Sequence, residues 1–348
     1  MDYRNEMLTL LSIAHARNAS DLHLCTGLPP TLRIHGQLTV ISGSPIAAEQ
    51  LEGMALSLMD EIQASRFKVI GEIDFLYELP EVCRFRINIF KQRGRISVVV
   101  RTIALEVPDI RELQLPPAIV GLADKRQGLI VVTGPTGSGK STTVAALIGH
   151  INRTQNKHII TLEDPIEYVH THHCSIINQR EIGTDTKSFA TGLRAALRQD
   201  PDVIFVGEMR DLETISAALT AAETGHLVLA TLHTVDAPQT IDRIIDAFPG
   251  DQQNQIRMQL ASVLIAVIAQ RLIPMVQGSS RICATEILLN IPAVGNLIRS
   301  EKVHQLRNVL QTSANTGMHT MEMSIQDLIQ QGLVEYYVGQ SYLTEGGA

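Results

Sequence analysis

The 348-residue chain has no tryptophan, few aromatic residues (4%), four cysteines with no CxxC pair, no long basic run and no long apolar run. Each shortage removes a class of protein. Cys25, Cys83, Cys174 and Cys283 are scattered, so neither a disulfide framework nor a four-cysteine zinc site is expected. The spacing fits a reducing cytoplasm, with the four side chains acting as small buried hydrophobes. The longest apolar stretch, between Arg257 and Arg271, holds 13 residues and includes Gln259 and Ser262. A bilayer span needs about 20, so no transmembrane segment is expected and any membrane association is peripheral or through a partner. The opening "MDYRNEMLTLLSIAHARNASD" is charged early and reads as an amphipathic helix rather than a signal peptide. A net charge of -7 argues against a nucleic-acid partner. What is present is 45% hydrophobic residues, enough for two domains or one large one and too much for a disordered chain.

Patterning divides the chain into three. Residues 1–105 alternate short strand-like runs with helical stretches, giving a small α+β domain. Within it, "TLRIHGQLTVI" reads as a hairpin turning at His35-Gly36. The spacing of Leu51, Met54, Leu58 and Ile62 predicts a helix over 47–69. "VCRFRINIFKQRGRISVVVRTI" reads as two strands joined near Gly94. Cys83, Phe85, Ile87 and Ile89 alternate onto one face, leaving Arg84, Arg86 and Asn88 on the other. Residues 106–127 carry three prolines with Leu105 before them and read as a linker. From 128 to 348, strands fitting 128–133, 158–163, 202–207 and 226–232 alternate with helices fitting 140–152, 186–198 and 211–222. That alternation predicts a mostly parallel α/β sheet covered by helices. Beyond about 236 the pattern is helical, apart from "RICATEILL".

"LIVVTGPTGSGKSTT" is the most specific feature. Gly134 to Ser141 matches GxxxxGK[ST], between the strand and helix that phosphate binding requires. Gly134, Gly137 and Gly139 let backbone N–H groups converge on phosphate oxygens, with Thr136 and Ser138 lying on the same loop. Lys140 pairs with the β- and γ-phosphates, Ser141 reaches Mg²⁺, and Thr142 follows in the first helical turn. ATP and Mg²⁺ are therefore the expected cofactors, against the alternative of a tight glycine turn and nothing more. "DVIFVGEMRD" ends a buried strand at Gly207-Glu208, so that Glu208 is a candidate catalytic base and, through water, a metal partner, or else a solvated strand-end acid. "HIITLEDPIEYVH" places Glu163, Asp164 and Glu167 in one loop, either a solvated turn or a set of acids around a magnesium nucleotide. "GHLVLATLHT" reads as a buried strand with His226 and His233 at its ends. Seven positions apart, they point to opposite faces about 23 Å from each other at about 3.3 Å per residue, too far to share a metal.

Four motifs, "GPTGSGKST", "TLEDPIEY", "VGEMRDLETI" and "TAAETGHLVLATLHT", resemble in order the Walker A, Asp box, Walker B and His box of the type II/IV secretion ATPase superfamily. The likeness extends through "ASDLHL", "GLPPTLRIHG", "CRFRIN", "DRIIDAFP" and "PAVGNLIRSEKVHQL", nearly the whole chain. Lack of paired cysteines and the early start of the "SDLHL" domain point to the pilus-retraction branch rather than the extension and type II secretion branches. The resemblance implies a PAS-like N-terminal domain and a RecA-like P-loop ATPase domain with a helical extension. It also implies a homohexamer acting on an inner-membrane pilus platform protein, located in the cytoplasm and peripheral at the inner face of the membrane, and driving pilus retraction and twitching motility. By the same resemblance Glu208 is the catalytic Walker B acid, Glu163 the key acid of the Asp box, and His226 and His233 the His box. Arg86 and Arg101, with Arg84 third, would be arginines brought to a nucleotide's phosphates; a solvated strand face is the plainer reading. One departure stands out: the retraction signature AIRNLIRE reads "AVGNLIRS" here, with Gly295 for the first arginine and Ser300 for the glutamate. A paralogue that regulates a partner motor, or an extension or secretion ATPase of the same superfamily, is the alternative.

Overall fold

The structure, a computed structural model, describes residues 2–34, 36–41, 43–79, 83–103, 107–276 and 280–344. Two compact units divide the chain, Met1–Glu106 and Val107–Ala348. His35 of the expected hairpin turn and the expected domain boundary at 105–106 lie outside the described residues.

The first unit contains α1 (Tyr3–Ala16), β1 (Asp21–Cys25), β2 (Thr31–Ile34), β3 (Gln37–Val40), α2 (Ala48–Leu56), α3 (Glu61–Ile70), β4 (Glu72–Leu79), β5 (Cys83–Gln92) and β6 (Arg95–Ile103). Its strands form one sheet in the order β3-β2-β1-β6-β5-β4. Cys83, Phe85, Ile87 and Ile89 are buried with Met7, Leu11, Leu22 and Leu51, because the alternation of β5 turns one face to α1 and α2. The β5–β6 turn falls at Gly94, whose φ of 75° suits glycine. The single helix expected over 47–69 is two. Asp60 accepts from the Gln63 amide at 2.7 Å and Gln63 returns a bond to the Asp60 amide at 3.0 Å, a capping box that starts a new helix.

The second unit contains α4 (Pro117–Val120), β7 (Gly128–Thr133), α5 (Lys140–Thr154), β8 (His158–Glu163), β9 (Ile176–Glu181), α6 (Phe189–Ala196), β10 (Val203–Val206), α7 (Leu212–Glu223), β11 (Leu227–Thr231), α8 (Ala237–Asp246), α9 (Gly250–Val263), β12 (Leu264–Pro274), β13 (Arg281–Leu289), α10 (Pro292–Arg299), α11 (Leu306–Thr312), α12 (Met321–Gln330) and α13 (Tyr336–Thr344). The sheet order is β13-β12-β7-β11-β10-β8-β9, parallel throughout except for the antiparallel β12–β13 pair. β7, β10 and β11 are largely apolar and buried on both faces, and β8 is buried from Ile159 onward, as a helix-covered parallel sheet demands.

Three expectations are corrected. The stretch after residue 235 is not helical up to "RICATEILL": β12 takes up eleven residues directly after α9. No glycine or proline separates the two elements, so apolar content alone leaves the boundary invisible. β9 was not expected, being an edge strand whose "IINQRE" is largely polar. Residues 107–127, read as a linker that begins the next domain, do more than link: Ile110, Ile119, Leu122 and Ala123 are buried in the core beside β7 and α5.

Candidate nucleotide site

The loop after β7 is shaped by its glycines. Gly134 has a φ of 141°, and a Cβ there would lie 2.4 Å from the Gln270 carbonyl oxygen of β12. Only glycine lets the P-loop leave the sheet so close to its neighbour. Gly139, with a φ of 90°, is the N-cap of α5, and Gly137 has open space where a side chain would stand. The backbone is thus drawn towards the N-terminus of a 15-residue helix, the arrangement that gathers amides around an anion. Thr136 is exposed, while the buried Ser138 Oγ has no hydrogen-bond partner among the described residues. A loop that turns its backbone onto a helix N-terminus and leaves a buried serine hydroxyl unpaired fits a nucleotide phosphate. Ser141 and Thr142 stand half-buried in the first turn, Thr142 Oγ1 lying 3.0 Å from the Tyr168 hydroxyl.

Lys140 is buried and folded back on its own loop. Its ammonium donates to the carbonyls of Gly134 (2.8 Å) and Pro135 (3.1 Å) and lies 3.4 Å from His233 Nδ1. Burial pushes its pKa down, while the charges of Glu208 and Glu167 pull it up, and the net direction is down. His233 follows β11, the strand immediately beside β7; β10, which carries Glu208 at its end, is one place further out. The imidazole spans that gap, with Nε2 3.2 Å from Glu208 Oε1. Glu208 is also held by Arg210 Nε at 2.5 Å. Burial pushes the Glu208 pKa up, but the Arg210 hydrogen bond and the charges of His233 and Arg210 outweigh it, leaving the carboxyl below its ordinary range. The loop carrying His233 is fixed from below: Thr133 Oγ1 donates to the Thr234 carbonyl at 2.7 Å, and the Thr234 and Thr240 hydroxyls are 2.6 Å apart.

The three acids after β8 separate. Asp164 and Glu167 are exposed, whereas Glu163 is buried. Glu163 Oε1 accepts from Thr161 Oγ1 (2.6 Å) and Gln179 Nε2 (3.1 Å). Burial pushes its pKa up to about 7 against the pull of those donors. Gln179, on β9, also donates to the Tyr168 carbonyl (2.8 Å) and accepts the His170 amide (2.8 Å), so one side chain fixes both the acid and the loop that follows it. His226 precedes β11, at the end of the strands opposite His233. Its ring nitrogen is 2.9 Å from the Ala221 carbonyl and its own carbonyl accepts from Gly128 at 3.0 Å, tying the end of α7 to the start of β7.

The three arginines belong to the first unit and are all paired there. Arg86 makes a bidentate contact with Asp74 (2.6 to 3.1 Å), Arg101 Nε binds Asp21 (3.1 Å), and Arg84 Nε lies 3.3 Å from Glu78. Sequence reasoning missed Thr161, Gln179 and Arg210. Arg210 could have been found from its place two residues after Glu208; Gln179 could not, because its strand carries no apolar pattern.

Residues 6–335 match the family described as type II/IV secretion system protein. The type IV pilus retractation ATPase PilT of Pseudomonas aeruginosa is 45% identical over 94% of this chain and 95% of its own length. The type IV pilus ATPase PilU of the same organism is 40% identical over 95% of this chain and 87% of its own. The crystal structure of the pilus retraction motor PilT with bound ADP superposes with a TM-score of 0.90 at 46% identity, covering 96% of each chain. These matches run through both units and the whole candidate site, and the chain belongs to the type II/IV secretion ATPase family.

Proposed function

We propose that this chain is a PilT-like motor that hydrolyses ATP to drive retraction of a type IV pilus. The observation that carries the reading is the His233 imidazole standing between Lys140 and Glu208, at the loop where a γ-phosphate would lie. Magnesium-bound ATP would supply an electrophilic phosphorus with its charge partly neutralised; Ser141, with Glu208 through water, would hold the metal. Lys140 gives up its two loop carbonyls for phosphate oxygens, and His233 then loses the ammonium as a neighbour. Glu208, kept ionised by Arg210, accepts the proton of the attacking water. Glu163, poised near neutrality, orients water and can take up or return a proton.

Arg86 and Arg101, and more weakly Arg84, would exchange Asp74, Asp21 and Glu78 for phosphate oxygens, coupling nucleotide state to movement of the N-terminal unit. His226 then has a structural or coupling role, since it ties α7 to β7. A homohexamer, an inner-membrane platform protein as partner and a place at the cytoplasmic face of the membrane complete the proposal. A second reading, a paralogue that modulates a partner motor, is favoured by Gly295 and Ser300. Gly295 is buried where α10 meets the Ala261 carbonyl at 3.5 Å from an added Cβ, so the arginine of the retraction signature has no counterpart there. The test is retraction-dependent motility in a strain deleted for this gene. Wild type is expected to restore it and Glu208→Gln to fail; full restoration by Glu208→Gln would favour the regulator.

A further inference from the structure

Helix α3 buries little of itself. Its capping box at Asp60 and its left-handed stop at Gly71 define the helix, yet Phe67 is its one buried residue. Ile62, Arg66 and Val69, at i, i+4 and i+7, share a stripe that faces water, with Ile70 beside it. Ile62 is 80% exposed, Val69 87% and Ile70 54%. Three aliphatic side chains so exposed on ten residues have no account in the packing of this unit.

A second element meets the C-terminal end of α3, beside Phe67 rather than on the exposed stripe. The Lys91 amide donates to the Gly71 carbonyl at 2.9 Å, and the Lys91 ammonium lies 5.6 Å from the centre of the Phe67 ring. Lys91 leads into the β5–β6 turn, where Arg93 and Arg95 are exposed. Counting Arg66 and Lys68 on the helix, Lys91 at its C-terminal end and Arg93 and Arg95 in the turn that Lys91 enters, this corner of the unit carries five cations. None of them pairs with a carboxylate among the described residues, whereas Arg33, Arg84, Arg86 and Arg101 on the sheet face all do. The acids adjoining the corner are Asp60 at the N-cap and Glu61 at the start of α3, and Glu72 at the start of β4. A local excess of unpaired cations in a chain of net charge -7 is a directed feature.

We propose that this corner is a lipid-contact surface that seats the protein on an anionic bilayer. Ile62, Val69 and Ile70 enter the boundary between headgroups and acyl chains, and the five cations meet lipid phosphates. Aliphatic and cationic side chains interleaved on a helix and a turn match an anionic membrane, which offers both environments at once. No described helix is long and apolar enough to span, so attachment at this corner is by surface contact. The inference is independent of the nucleotide chemistry.

The test is sedimentation of the full chain with vesicles of phosphatidylcholine alone and of phosphatidylcholine with phosphatidylglycerol. Binding to the anionic vesicles at least about tenfold stronger, and weakening with added salt, is expected. Lys68→Glu with Arg93→Glu, and separately Val69→Ser with Ile70→Ser, should each lower that binding about tenfold. ATP turnover and thermal midpoint should stay unchanged in both. Equal partition onto both vesicle types, or anionic binding retained in both double variants, overturns the proposal. So does a change of oligomeric state in those variants with vesicle binding intact, which would assign the corner to contact between copies of the chain.

Discussion

Arg86 and Arg101 stand directly opposite one another across the antiparallel β5–β6 pair, and each is held from its far side by a carboxylate, Asp74 on β4 and Asp21 on β1. Like charges in direct cross-strand register destabilise a sheet, so a fold optimised for stability alone would not place them there. With Arg33 opposite Asp21 on β2, the rung carries three arginines to one aspartate before Asp74 is counted.

For Arg86→Gln or Arg101→Gln, we expect a thermal stability within about 1 kcal/mol of wild type, since each loses an exposed ion pair but also a like-charge neighbour. ATP turnover should fall at least about tenfold if the pair engages phosphate. Steady-state kinetics beside thermal melts separates the two effects; a stability loss with unchanged turnover would mark the arginines as purely structural.

His233→Ala should lower kcat by about tenfold or more while leaving nucleotide affinity within a few-fold, because the ring contacts the lysine and the acid rather than the P-loop amides. Parallel turnover and calorimetric binding check it. His226→Ala, at the far end of β11 from His233, should lose stability before it loses chemistry.

Glu163 gives a pH signature. Raised to about 7, its carboxyl is protonated below neutrality, so kcat/KM should climb through about pH 7 and level off above it. Gln179→Leu removes a donor to the charged form and should move that rise to higher pH, with Glu163→Gln abolishing it. A profile from Gln179→Leu that superposes on wild type would mean that the glutamine only supports the loop.

A second buried acid acts on stability. Glu286, on β13, accepts from the first amides of two helices, Ala237 of α8 (2.8 Å) and Met321 of α12 (3.4 Å), and burial raises it to about 7. Its charged form is the costly one in the folded state. The cost is absent below about pH 4.5, where folded and unfolded forms are both protonated, and complete above about pH 7. Stability should therefore fall as pH rises through that window, by on the order of 3 kcal/mol for this group. Glu163 adds to the same slope. Glu286→Gln should flatten it in urea titrations at stepped pH.

The P-loop was legible because its requirement is local: Gly134 must be glycine where the Gln270 carbonyl crowds it, and that need is written in one residue. The apolar strands were legible for a similar reason, each being buried on both faces. Register was not. That Arg86 meets Arg101, and that Asp74 and Asp21 hold them, depends on pairings between strands up to 80 residues apart. Gln179 was hidden on a polar edge strand, and β12 behind an apolar run that passes from helix to strand without a break. Asp60 and Gln63 spell out the capping box that divides α2 from α3, but apolar periodicity runs across it.

Whether Lys140, Glu208 and His233 form a hydrolytic γ-phosphate site is decided by Mg²⁺-dependent ATP turnover in purified wild type and Glu208→Gln, with ATP binding measured on both. Near-equal binding and a loss of at least about a hundredfold in turnover are expected for Glu208→Gln. Wild-type turnover in that variant would contradict that assignment.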